Sequence, residues 1–160
     1  MDYRFTKAER LNSRLAIDKL FAGGNASTVA FPLRIVYMKV EAKKAEMTKK
    51  TEVTRVAEEE ATIAEVADNA DMADDAVPPV SVLVSVPKKR FRHAVDRNRM
   101  KRLVREAYRL NKHILWEALE GKEYKLAVAF VCITDQLPTF YAVNKSMLKV
   151  LTQISERLNK

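Results

Sequence analysis

The sequence predicts one small α+β domain in the order αβββαβα, a four-stranded sheet with a split βαβ arrangement. Three observations carry that expectation. Runs rich in β-branched residues alternate with stretches of helical periodicity. The chain has 160 residues of which 48% are apolar, room for one sizeable core and an appendage. Residues 41–78 alone break the pattern, with a composition unlike that on either side.

Taken in order, Ser13 is placed to cap a helix over Arg14–Phe21, with Leu15, Ile17, Leu20 and Phe21 as its apolar side. Gly23-Gly24-Asn25 then stops it with residues that tolerate positive φ. A short extended piece is expected around Ser27–Phe31, its pairing limited by Pro32, before a strand over Leu33–Val40. After Pro78-Pro79, Val80–Val86 reads as a strand with its serines on one face. Residues 97–119 read as one long helix ended by Gly121. Tyr124–Ile133 is a nearly continuous apolar run, the mark of a strand covered on both sides. Val143, Met147, Val150, Leu151, Ile154 and Leu158 then place an apolar stripe on a C-terminal helix.

Charge divides the chain. The 29 Lys and Arg against 21 Asp and Glu give +8, with an isoelectric point near 9.6. Residues 41–78 hold 11 acidic and 5 basic side chains, a net −6, which leaves +14 on the remainder. From Glu41 to Val77 there is no Gly, Pro or aromatic residue, so this acidic insertion is expected to be flexible or partly helical rather than a second folded unit. A basic balance of this size favours nucleic acid first and an anionic membrane surface second. Cys132, the single cysteine, excludes an intrachain disulfide framework. With no run of the roughly 20 apolar residues a span needs and no signal-like start, a cytoplasmic protein without a membrane segment is expected.

The chemistry concentrates in residues 87–112, where eleven basic and two acidic side chains give +9 in 26 residues. At about 100° per residue, Met100, Leu103, Val104, Ala107 and Leu110 fall on one side of a helix. Lys101, Arg102, Arg105, Arg109 and Lys112 fall opposite, with Asn98 among them and Arg97 and Arg99 flanking in the first turn. One face is thereby expected to pack on the sheet while the other offers phosphate-matching guanidinium forks. A helix merely made soluble by charge is the weaker reading, because solvated faces normally mix both signs.

These residues resemble a known family. Lys88-Lys89, a gap of four, Ala94 and then Arg97-Asn98-Arg99-Met100-Lys101-Arg102-Leu103-Val104-Arg105-Glu106 are similar to the RNR signature of the bacterial ribonuclease P protein component. Arg10-Leu11 followed by Lys19-Leu20-Phe21 resembles the family's first helix, and the likeness covers roughly 1–40 and 79–160. The long insertion, Pro87 in place of a small residue, and Ile17 at an often aromatic position depart from the pattern. The resemblance implies a fold of the ribonuclease P protein type, shared with a ribosomal-protein domain. It also implies a subunit that binds the catalytic RNA of ribonuclease P and promotes removal of the 5′ leader of precursor tRNA, one protein per RNA. Catalysis, and the Mg²⁺ it uses, would belong to the RNA, so no catalytic residue and no metal ligand is expected in the polypeptide. Carried over, Lys88, Lys89, Arg90, Arg92, Arg97, Asn98, Arg99, Lys101, Arg102 and Arg105 would contact the RNA subunit. Ile17, Phe21 and Tyr37 would line a leader cleft between the first helix and the sheet, Phe21 and Tyr37 as stacking aromatics or as plain core.

Other candidates are weak. His93 and His113 have no partner at ligand or triad spacing, Trp116 reads as core or helix-end packing, and three glycines make no phosphate loop. A general RNA-binding protein of ribosomal type, with no role in cleavage, is the alternative of a different class.

Overall fold

The computed structural model describes residues 3–41 and 77–160. Apart from its ends at Glu41, Val77 and Pro78, the acidic insertion lies outside them. The elements run α1 (Arg14–Phe21), β1 (Ala26–Ala30), β2 (Leu33–Glu41), β3 (Val80–Ser85), α2 (Ala94–Asn111), α3 (His113–Leu119), β4 (Tyr124–Cys132) and α4 (Phe140–Asn159), after a 3₁₀ turn at Lys7–Glu9. The expected order holds, with strand ends within a residue of the pattern.

The sheet order is β1-β2-β4-β3. β1, β2 and β4 are antiparallel neighbours, while β3 lies parallel to β4 and returns to it through α2 and α3. β4 is one of the two inner strands and is covered on both faces, as its apolar run predicts: Leu126, Val128, Phe130 and Cys132 join the main core, and Ala129 faces the other way. The main core lies between one sheet face and α2, α3 and α4, and includes Met100, Val104, Met147, Leu151 and Ile154. Across the sheet, α1 covers only a small cluster of Leu20, Val36 and Ala129, with Leu11, Met38 and Leu83 half-buried beside it. That thin cover leaves the second face partly open. Among the described residues no helix is long and apolar enough to cross a membrane.

Local chemistry explains the ends of α1. The Ser13 hydroxyl accepts from the Ala16 N–H, and Gly23 and Gly24 take φ of +92° and +79° after the last turn. Asn25 closes the end by donating to the Lys19 and Leu20 carbonyls. Of the four residues on the expected apolar side only Leu20 is buried; Leu15 is 74% exposed and Phe21 47% exposed. An eight-residue helix lying on one small cluster has no room to bury four large side chains.

Two further expectations are corrected. The long helix 97–119 begins earlier, at Ala94, and is two helices interrupted at Lys112. Lys112 is also not on the solvent face: it is 1% exposed, and its ammonium meets the Glu9 carboxylate at 2.8 Å. The interruption falls at the residue whose side chain points inward to a buried anion. Leu110, assigned to the apolar face, is 39% exposed, since the core residues of that last turn are Ala107 and Tyr108.

Candidate nucleic-acid interface

The loop 87–93 joins β3 to α2, and its turn is closed by the Arg90 and Phe91 N–H groups donating to the Pro87 carbonyl. Phe91 is buried in the main core and pins the loop, leaving Lys88, Lys89, Arg90 and Arg92 exposed around it. A proline at 87 suits this turn because only its carbonyl is used. Arg97 works from the helix side: its Nη1 donates to the carbonyls of Phe91 at 2.8 Å and Arg92 at 2.9 Å. Part of the guanidinium read as a phosphate fork thus fastens the loop that carries the other cations.

The remaining basic residues of α2 fall into two stripes. Asn98, Arg99 and Arg102 are exposed and point away from the protein. Arg97, Lys101 and Arg105, each four residues apart, are half-buried along the side next to the N-terminal segment. Crowding shows in their acidities. Burial first, then Arg105 and Arg97, hold the Lys101 ammonium below its ordinary pKa. Burial and then Arg10 do the same to Arg105, which stays charged as arginine does. Arg109 is different, for its Nε and Nη2 grip the Glu106 carboxylate at 2.8 and 2.6 Å. The basic face therefore carries one acid, and Arg109 is the cation it occupies.

Residues 3–9 have no element in the sequence pattern, and the structure gives the whole segment 3–12 a role. Arg10-Leu11, likened to a first helix, is instead extended: Arg10 bridges Val82 in parallel fashion and the Leu11 N–H donates to the Val82 carbonyl at 2.9 Å. Glu9 is 1% exposed and holds Lys112, whose Nζ also donates to the Arg4 carbonyl at 2.6 Å and lies 4.6 Å from the Trp116 ring centroid. Tyr108 is buried nearby with Phe5 edge-on to it at 5.9 Å, and burial raises its hydroxyl pKa. Glu9 stands 103 residues from Lys112 in sequence, so spacing offers no signal for the pair.

The leader-cleft residues separate. Ile17 is half-buried and Phe21 half-exposed on α1, beside the open sheet face. Tyr37 is on the opposite face, 5% exposed in the main core, and its hydroxyl accepts from Arg157 of α4 at 3.3 Å. The core reading of Tyr37 is the one the structure supports, because in a strand residues 35 and 37 share the face of Leu33 whereas 34, 36 and 38 turn to α1. Tyr37→Phe is expected to cost about 1 kcal/mol in a urea melt and to leave RNA affinity unchanged; an RNA-binding defect without a stability loss would contradict the placement.

Among the described residues no three His, Cys, Asp or Glu side chains gather to hold a metal ion. Cys132 is buried, and burial pushes its thiol pKa up, as expected of a small core side chain.

A small α+β sheet domain that turns an arginine-rich helix face and its basic loop outward is a class of protein built to meet a polyanion. Comparison with known proteins narrows the class. The ribonuclease P family model matches residues 5–155. Two Porphyromonas gingivalis proteins named ribonuclease P protein component are 37% and 39% identical over 153 residues, 96% of this chain and 88% of theirs. A Chlorobaculum tepidum protein of the same name is 47% identical over 89 residues, 50% of this chain and 56% of its own. The chain belongs to the ribonuclease P protein family.

Proposed function

We propose that the chain, as the protein subunit of ribonuclease P, holds the catalytic RNA on the outward stripe of α2 and the 5′ leader of precursor tRNA on the open sheet face. The observation that carries this reading is the outward stripe itself. Asn98, Arg99 and Arg102 are exposed on a helix whose opposite face is core, next to a loop presenting Lys88, Lys89, Arg90 and Arg92. Arginine forks match phosphate oxygens bidentately, and their release of counterions makes binding strong and salt-dependent. One protein binds each RNA in this reading, as the resemblance implies.

The open face suits a single strand. Phe21 offers a half-exposed ring beside Ile17, and Met38, Leu83 and Val131 give an apolar floor edged by Arg34. Phe21→Ala is expected to weaken binding of leader-bearing substrate by about 1–3 kcal/mol, the range of one base stack. Binding of leaderless tRNA and the unfolding midpoint should both stay put, and a midpoint shift without an affinity change would assign Phe21 to packing.

Hydrolysis itself is left to the RNA. In this reading the Mg²⁺ that would generate the nucleophile or stabilise the leaving oxygen is held by RNA phosphates. The chain contributes cations that gather two RNAs and lower the Mg²⁺ they need. Reconstitution tests this: the protein is mixed with a ribonuclease P RNA and precursor tRNA at low Mg²⁺, and leader removal should rise. No rise, with RNA binding intact, would leave a general RNA-binding protein of ribosomal type.

A further inference from the structure

The N-terminal segment, the outer edge of β3 and the middle of α2 enclose a cleft of about 110 Å³ lined by Phe5, Arg10, Asn12, Leu83 and Arg105. Two guanidinium groups share it, and no carboxylate lines it. Each has an acid as its immediate chain neighbour, and both acids are committed elsewhere. Glu9 turns inward to Lys112 at 2.8 Å, and Glu106 holds Arg109 in a bidentate pair. The backbone bridge from Arg10 to Val82 fixes one cation, the helix fixes the other, and Lys101 stands one turn before Arg105 on the same side. Arg105 is half-buried and Arg10 exposed beside it, and the two like charges repel unless an anion joins them. The cleft also opens onto the face proposed for the leader, because Leu83 belongs to both.

We propose that this cleft is a subsite for one phosphodiester group of a bound RNA strand, gripped between Arg10 and Arg105 with Asn12 as a neutral donor. The favoured source is the leader, whose path over the open face ends at this edge. The subsite rests on the RNA-binding reading above and adds Arg10, a residue outside the RNR helix, to the contact surface. A diester has two non-bridging oxygens, one for each fork, so the two arginines act as a unit.

The test uses the reconstituted holoenzyme with Arg10→Gln, Arg105→Gln and the double variant. Dissociation constants are measured for precursor tRNA and for leaderless tRNA, alongside assembly with the catalytic RNA. Each single variant should weaken precursor binding by roughly 5–10-fold and lower its salt slope by about one contact. The double variant should lose little more than either single, since the second fork grips poorly alone. Loss confined to precursor tRNA assigns the phosphate to the leader; equal loss with both substrates and in assembly assigns it to the catalytic RNA. Arg10→Gln should unfold at an unchanged or higher midpoint because it removes a like-charge contact, which separates the effect from misfolding. Unchanged binding in every arm overturns the subsite, as does full multiplication of the two single losses. Arg102→Gln is the reference: if it weakens RNA binding while Arg10→Gln does not, the subsite fails and the RNA-binding reading stands. If neither weakens it, both fail.

Discussion

Lys112→Met is expected to lower the unfolding free energy by about 3–5 kcal/mol, a large share of what a domain of this size has. The substitution keeps most of the side chain's length and apolar packing, so the loss comes from the charge. Glu9 and Lys112 are each 1% exposed, and the ammonium is the carboxylate's one charged partner, meeting Oε1 at 2.8 Å while the Thr6 hydroxyl donates to the same oxygen at 3.5 Å. The other oxygen, Oε2, already has no hydrogen bond among the described residues. Removing the cation would leave a buried anion with only the long Thr6 hydroxyl bond to offset its desolvation. Replacing both partners, as Glu9→Leu with Lys112→Met, should recover most of the loss, because an apolar pair needs no compensation. Urea melts of the parent, both single variants and the double variant read this directly. A Lys112→Met protein within about 0.5 kcal/mol of the parent would show the pair to be incidental.

The second large effect is on binding. Changing Arg99, Lys101 and Arg102 together to glutamine should reduce the slope of log affinity against log salt by about two to three. At 0.1 M salt, relative to the value extrapolated to 1 M, that is a loss on the order of a few hundredfold. Arg109→Gln is the matched comparison: the same charge change on the same helix, but at a guanidinium already held by Glu106. Its slope should move by much less. Arg97→Gln should behave differently from both, since its Nη1 holds the Phe91 and Arg92 carbonyls. Equal slope changes for Arg109→Gln and each outward arginine would mean that net charge, not the placement of the stripe, governs binding.

The elements were legible because their signals are local. Alternation in Val80–Ser85, the apolar run of β4 and the Ser13 cap are read within a few residues, and each is where the pattern puts it. The RNR block was legible for the same reason, its spacing being internal to one helix. What a helical projection cannot show is which cations the fold then uses for itself. Lys112 is drawn into the core by an acid from the other end of the chain, Arg109 is taken by its helix neighbour, and Arg97 is turned back to its own loop. Tyr37, open in sequence between cleft and core, is settled as core by a different fact: a strand's two faces are known only once each has a helix on it, and α4 rather than α1 covers this one. Arg10 acquires meaning only through its bridge to Val82.

That bridge has a consequence beyond RNA. β3 lies at one end of the sheet, and an end strand presents a row of unpaired amides and carbonyls to which any other extended chain can add. Arg10 and Leu11 lie along this margin, with the Leu11 N–H on the Val82 carbonyl. The margin is thus occupied at Val82, and another extended chain adding along the whole of β3 would have to displace Arg10 and Leu11 there.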